Sequence, residues 1–194
     1  NVSKWKYVCK VWPQERTTVQ NMEDSQLITS LGLDRNVIYT SNRISRNFMP
    51  YLIAACDIYA APSRLEGFGM PQVEAGACGK PVIGIKAMAL LDTLVHDETA
   101  LLASVARENR ISEAFLGADA GFNDGQKIIL DPPRIADYRA SVDDISGYLE
   151  RLIDEPDFRK KLGEAGRKRV MEKFDYRVVA RKFTEIVSEK LGIN

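Results

Sequence analysis

The sequence predicts an α/β domain built on a doubly wound parallel sheet, and two observations predict it. Short apolar runs alternate along the chain with longer segments of helical period, and those runs contain few polar alternates. Strands of that kind belong to a parallel sheet whose two faces are both covered by helices.

In order, Lys6 to Val11 reads as a first strand and Val37 to Thr40 as a second. Ile58 to Ala61 is a third, Pro81 to Ile85 a fourth and Leu101 to Ala103 a short fifth. Helical patterns lie between them at about Met22 to Leu31, Phe48 to Cys56, Pro71 to Cys78 and Leu90 to Val95. Open sheets of this class bind ligands outside the carboxyl ends of their strands. The loops after Ala61 and Ile85 are therefore where a site is expected.

From Ser104 to Ala140 the rhythm breaks. This excursion carries Gly117, Gly121, Gly125 and Pro132-Pro133, with an apolar strip at Ile128 to Leu130. It is longer than a usual connection, and reads as an acceptor or partner loop or as a tolerated surface insertion, the insertion being preferred. Beyond it, Val142, Ile145, Leu149, Leu152 and Ile153 form one helical stripe that stops at Asp154-Glu155-Pro156. Two more helices are expected, from about Phe158 to Phe174 and from about Arg177 to Leu191. Between Asp157 and Lys182 stand ten basic and four acidic residues. That surface either meets anionic lipid or phosphate, giving peripheral contact with the inner face of a membrane, or is an ordinary solvated helix face.

Composition narrows the function. The 194 residues suit one domain, or one with an appendage, and 45% apolar against 28% charged is the balance of a soluble globular protein. No apolar run approaches the roughly 20 residues that span a bilayer, and Asn1 to Lys10 is too mixed for a signal peptide. Lys plus Arg and Asp plus Glu number 27 each, so no overall field favours nucleic acid. Cys9, Cys56 and Cys78 show no metal-ligand spacing and read as reduced core residues of a cytoplasmic protein. A histidine-based zinc site or Ser-His-Asp triad would have to use the single histidine, His96, which sits in the turn-like His96-Asp97-Glu98-Thr99 and reads as an exposed loop residue.

The segment that carries chemistry is Ser63-Arg64-Leu65-Glu66-Gly67-Phe68-Gly69-Met70-Pro71-Gln72-Val73-Glu74, which comes directly after a strand and opens a helix. Gly67 and Gly69 allow a tight turn and close approach to a ligand. Pro71, lacking an N–H, suits the first helical position. The unpaired amides of the helix start would face the glycine turn, a ready site for a diphosphate. Glu74, placed in the first turn, could accept hydrogen bonds from vicinal ribose hydroxyls, and Glu66 lies where a bound diphosphate would put its sugar. Gly79 marks the helix end and Pro81 the next strand.

The whole string is more specific than its parts. Glu66 and Glu74, with seven residues between them and Gly-Phe-Gly-Met-Pro after the first, resemble the paired-glutamate motif of family 4 (group 1) glycosyltransferases. Ala75-Gly76-Ala77-Cys78-Gly79-Lys80-Pro81-Val82-Ile83 resembles the stretch downstream of that motif in the family. Leu31-Gly32-Leu33, Val37-Ile38-Tyr39 and Ala54-Ala55-Cys56-Asp57-Ile58 fit upstream. Leu162-Gly163-Glu164-Ala165-Gly166-Arg167 and Phe174-Asp175-Tyr176 fit the carboxyl-terminal helices. The resemblance covers most of the chain apart from the excursion.

It implies a two-domain GT-B enzyme that transfers a sugar with retention, residues 1–194 being the Rossmann-like C-terminal domain with its C-terminal helices. Glu74 would bind the donor ribose. Gly67, Phe68, Gly69 and Met70 would form the turn that meets the donor sugar or its phosphates through backbone N–H groups. Glu66 would sit beside the transferred sugar as the catalytic carboxylate. The nucleotide-diphosphate sugar is then substrate, with no cofactor and no metal site; Asp143-Asp144 is an N-terminal helix charge pair. The acceptor (glycan, lipid or small molecule) is left open, and base choice is expected near Ser41 to Arg43. The chain departs from the family pattern in beginning after the strand that usually leads to an Arg and a Lys, with no N-terminal acceptor domain. It also has Lys86-Ala87-Met88-Ala89-Leu90-Leu91-Asp92 in place of a Gly-Gly pair and a Pro-Glu, Asp92 standing for the usual Glu, and Ala100 where glycine is typical. The competing readings are a nucleotide-sugar epimerase on the same architecture, a nucleotide-binding module inactive on its own, and an interaction domain without ligand.

Overall fold

The computed structural model describes residues 5–11, 18–40, 43–116 and 125–192. The chain forms two compact units, residues 1–49 and 50–194. The first contains β1 (Tyr7–Lys10), α1 (Thr18–Ser30) and β2 (Val37–Thr40). β1 and β2 pair in parallel, with Tyr7 opposite Val37 and Lys10 opposite Thr40.

The second unit holds α2 (Met49–Ala54) from Pro50 onward, β3 (Tyr59–Ala60), α3 (Met70–Ala77), β4 (Val82–Ile85), α4 (Leu90–Thr93) and β5 (Leu101–Ala103). Strands β3, β4 and β5 lie side by side in that order, all parallel. Every residue of β4 and β5 is buried, which is why their sequences lack a polar alternate. One apolar cluster joins Ile53, Ala75, Val82, Leu90, Leu94, Ala100 and Leu102. The other joins Ile83 and Leu101 to Leu152 and Leu162 of the later helices. Ala100 and Leu102 belong to the first cluster and Leu101 to the second, so each face of the sheet has its own core. With parallel sheets and flanking helices, the fold is the Rossmann-like α/β arrangement expected.

Helix α3 shows why the boundaries fall where they do. Gly69, at its N-cap, has a left-handed φ of 86°. At the other end the Gly79 N–H donates to the Gly76 carbonyl (2.8 Å) and the Lys80 N–H to the Ala75 carbonyl (3.0 Å), a Schellman closure around Gly79 at φ 71°.

The excursion is a long antiparallel hairpin, β6 (Val105–Leu116) and β7 (Gln126–Ala140). Gly117 and Gly121 lie outside the described residues. Its register shifts between Ile111 and Glu113, opposite the stretch holding Pro132 and Pro133. Proline cannot donate to a ladder and is accommodated at such irregularities. Val105, Tyr138 and Ala140, at the hairpin's base, pack on the first core cluster, whereas Phe115 and Ile129 are exposed. The neck is closed by the Ser141 N–H on the Ser104 carbonyl (2.8 Å) and by the Ser104 N–H and hydroxyl on Asp144 Oδ2 (2.8 and 2.6 Å).

Then come α5 (Val142–Asp154), α6 (Pro156–Lys173) and α7 (Tyr176–Leu191). Ser141 caps α5 by accepting from the Asp144 N–H (3.2 Å), and Asp143 and Asp144 stand in its first turn as expected. Helix α6 packs on α3 through glycines. A Cβ on Gly163 would run into the Gly79 carbonyl oxygen, so no larger residue fits there without backbone movement. No helix among the described residues is long and apolar enough to cross a membrane.

Three sequence expectations change. Cys9, Cys56 and Cys78 are free thiols as expected, but each is half-buried rather than in the core; Cys78, for one, is the C-cap residue of α3. His96 is only partly exposed, because its Nδ1 accepts from the Leu102 N–H (2.9 Å) and pins the turn beside β5. Of the basic residues on α6, Arg159, Arg167 and Arg169 donate to the Leu152, Ala77 and Thr93 carbonyls, at or near the ends of α5, α3 and α4. Those three guanidiniums satisfy helix C-terminal carbonyls instead of forming part of a free cationic face.

Candidate functional site

The site is assembled where β3 ends and α3 begins. Gln72, fully buried on α3, ties these elements together: its amide donates to the Ala61 carbonyl and to Ser63 Oγ, both at 3.0 Å. Its Oε1 is buried without a partner. The amide bonds thus hold the strand end against the helix although one acceptor goes unmet, a cost of about 1–3 kcal/mol.

Between those anchors the chain turns through Glu66, Gly67, Phe68 and Gly69. The Glu66 side chain, half-buried, folds back so that Oε1 accepts the Gly69 N–H at 2.9 Å. Its own N–H points at Met88 Sδ (3.2 Å), and Met88 sits at φ 56° in the loop after β4. Gly69 suits its place on two counts: its left-handed φ strains any other residue, and a Cβ there would stand 2.5 Å from Leu90 Cδ2 and oblige that side chain to shift. Phe68 is half-exposed and meets Phe174, beyond α6, edge to face at 5.9 Å.

Helix α3 starts one residue earlier than expected, at Met70, so Pro71 occupies its second position and Glu74 its fifth. Glu74 therefore belongs to the second turn, exposed to solvent, and no acidic residue stands in the first. The first intrahelical bond is the Val73 N–H to the Gly69 carbonyl (2.9 Å), which leaves the Met70 and Gln72 amides ahead of it. Both carboxylates act on one neighbour: burial pushes the Tyr59 phenol above its usual range, and the charges of Glu74 and, more weakly, Glu66 push it further. Glu66, Gly67, Phe68, Gly69, Met70 and Glu74 thus come together as one constellation at the carboxyl end of β3.

Asp92 lies in the first turn of α4, its carbonyl accepting from Arg169 (2.8 Å). Of the loop from Ser41 to Arg43, only Arg43 is among the described residues. Among the described residues no three His, Cys, Asp or Glu side chains gather as a metal site.

Residues that sequence reasoning did not single out also shape this loop. Gln72 signals itself only as a polar residue beside the apolar Val73 and Ala75 of the helix. Arg64 pairs with Asp137, 73 positions away on β7, and nothing local announces that contact. Asp137 also accepts from Asn109 Nδ2 (2.5 Å) and lies 3.5 Å from Arg139. Burial pushes its carboxyl up, but the hydrogen bonds from Arg64 and Asn109 and the charges of Arg64 and Arg139 outweigh that and hold it below the usual range.

A parallel α/β sheet with flanking helices carries this glycine turn and its two glutamates on a Rossmann-like scaffold. Residues 20–117 match the family described as glycosyl transferases group 1, and the chain belongs to that family. It is 29% identical over 170 residues to the MMP alpha-(1->4)-mannosyltransferase of Mycolicibacterium hassiacum, covering 88% of this chain and 33% of that protein. A D-inositol 3-phosphate glycosyltransferase of Salinispora tropica is 37% identical over 73 residues, 38% of this chain and 15% of that protein. In structure the chain resembles HepE of Anabaena in complex with UDP, at TM-score 0.72 and 20% identity, over 96% of this chain and 42% of that one. It also resembles the C-terminal domain of the group 1 protein LpcC of Francisella tularensis, at TM-score 0.62 and 24% identity, over 84% and 66%. The chain spans about a third of the length of the mannosyltransferase.

Proposed function

We propose that this chain is the donor-binding domain of a retaining glycosyltransferase that moves a sugar from a nucleotide-diphosphate sugar to an acceptor. The observation that carries this reading is the Glu66 carboxylate seated on the Gly69 amide at the start of α3, with Glu74 exposed further along the same helix. Backbone amides of Phe68, Gly69 and Met70 receive the donor's sugar or phosphates, Gly67 lets the turn close around them, and Glu74 accepts from the ribose hydroxyls. The Gly69 amide cannot serve Glu66 and the donor together. Donor binding therefore takes that amide and frees Glu66 to hold a hydroxyl of the transferred sugar or to stabilise charge at its anomeric centre.

The transfer breaks the bond from the anomeric carbon to the diphosphate oxygen and forms one to the acceptor oxygen, whose proton passes to the departing phosphate on the same face. Negative charge grows on the diphosphate as that bond breaks. A helix N-terminus aimed at it stabilises the transition state more than the ground state. The nucleotide sugar is the substrate, and this reading calls for no metal or cofactor. The acceptor side of the cleft falls to a separate N-terminal domain of the full-length protein, in keeping with the share of the mannosyltransferase that this chain spans.

Titration calorimetry with UDP, GDP and ADP and their sugar conjugates tests the assignment. UDP comes first because HepE has been crystallised with UDP and with UDP-glucose. One nucleotide is expected to bind, and Glu74→Ala to weaken it roughly tenfold or more, the worth of hydrogen bonds to a charged group. In the full-length protein Glu66→Ala is expected to abolish transfer with a smaller effect on donor affinity. Equal, negligible effects from the two substitutions would sink the assignment.

A further inference from the structure

The turn that carries Glu66 is held from the sheet side by Gln72, from the β4–α4 loop by Met88 and from the end of α6 by its C-cap residue Phe174. Its fourth attachment comes from the hairpin, and it is both main-chain and side-chain. The Tyr138 N–H donates to the Arg64 carbonyl (2.9 Å), adding the site loop to the edge of β7. One residue earlier on β7, Asp137 receives the Arg64 guanidinium. Asp137 is itself fixed: its cross-strand partner Asn109 donates to its other oxygen, Arg139 flanks it, and its side chain is only 17% exposed. The next residue, Tyr138, packs on the core. Arg64 is thus tied to the hairpin base through both its carbonyl and its guanidinium, two residues before Glu66.

Resting on the function proposed above, we propose that Asp137 is a positioning residue for the transfer: the hairpin base acts as a brace that fixes the height and direction of the Glu66 turn. Asp137 touches neither donor nor acceptor. It acts through Arg64, so its loss leaves the binding groups present and the reacting geometry misplaced. Misplacement on the ångström scale costs rate by up to about a hundredfold.

The test uses the full-length protein with Asp137→Ala, Asp137→Asn, Arg64→Ala and the Arg64→Ala/Asp137→Ala pair. The brace predicts a fall in kcat of roughly ten- to a hundredfold for Asp137→Ala, with nucleotide affinity and donor KM within about threefold of the parent. It also predicts a milder loss for Asp137→Asn, which still accepts from Arg64, and a double variant no worse than the worse single one. Hydrogen exchange is measured in parallel, and protection is expected to drop across 64–70 in Asp137→Ala while α5 and α6 keep theirs. An unchanged kcat in an active enzyme, or additive single losses, overturns the proposal, as does unchanged exchange at 64–70. Protection lost throughout the domain reduces Asp137 to a folding residue and also overturns it. Should the parent transfer no sugar from any donor, the functional reading fails instead, and the exchange result alone decides whether the brace exists.

Discussion

The three-stranded sheet and the long hairpin after it are built on opposite terms. Strands β4 and β5 are four and three residues long and wholly buried, with an apolar cluster on each face. Strands β6 and β7 are 12 and 15 residues long, yet none of their described residues is fully buried, and Phe115 and Ile129 are exposed. The sheet is held by area removed from water, which is non-directional. The hairpin is held by its ladder, by ion pairs such as Lys127–Glu113 (2.5 Å) and by the closed neck. Burial therefore makes the fold, while polar geometry at the hairpin base shapes the loop that leads to Glu66.

Core truncation tests that contrast most harshly. Leu101→Ala, at a position with no exposed surface, is expected to cost about 2–5 kcal/mol in urea unfolding. Ile129→Ala, 66% exposed on β7, should stay within about 0.5 kcal/mol. Comparable losses at the two sites would break the comparison.

Gly163→Ala comes next, at about 1–3 kcal/mol, because the added methyl meets the Gly79 backbone and must part α6 from α3. A neutral result by thermal denaturation would mean that the two helices slide freely. Smaller still is Ser141→Ala at the neck, expected to cost about 1 kcal/mol as a lost helix cap. Hydrogen exchange should show that loss at the start of α5 and at the hairpin base, and not in β4.

Acid should sharpen the contrast further. Against the upward push of burial, the contacts with Arg64 and Asn109 hold Asp137 below the usual range. Asp144 is held low too, chiefly by the hydrogen bonds from the Ser104 hydroxyl and N–H. A carboxyl depressed in the folded state contributes stability that is complete above its unfolded value of about 3.9 and is lost as pH falls through its folded value. Urea midpoints measured at pH 6 and pH 3 should fall further for the parent than for Asp137→Asn/Asp144→Asn. Equal falls would show that these contacts do not depend on ionisation.

Legibility in the sequence divides along the same line. Leu101–Ala103 falls at the expected residues because a buried strand writes its burial into consecutive apolar positions, and Val37–Thr40 does so too although its Ile38 is exposed. The first helix after the hairpin was legible from its apolar stripe and its stop at Asp154-Glu155-Pro156. The hairpin itself was not: β6 reads Val-Ala-Arg-Glu-Asn-Arg-Ile-Ser-Glu-Ala-Phe-Leu, with no period-two pattern, since neither face is wholly buried. Pro132 and Pro133 cannot donate to the ladder and stand where its register shifts. At the site, Glu66 and Glu74 stood out through their glycine-flanked spacing. The helix began one residue early because left-handed Gly69 caps it, which moved Glu74 into the second turn. Arg64 and Asp137 are invisible as a pair at 73 residues' separation.

Because the Ser104 carbonyl already bonds the Ser141 amide, the chain enters and leaves the hairpin at nearly the same point. By its connectivity the hairpin is a module: excising its strands and rejoining the neck by a short turn leaves β5 and α5 in sequence and costs only the core contacts of Val105, Tyr138 and Ala140. Such a deletion should yield a domain that still folds around its sheet but whose glutamate turn has lost one of its four moorings, so that assembling this protein and aiming it become separable tasks.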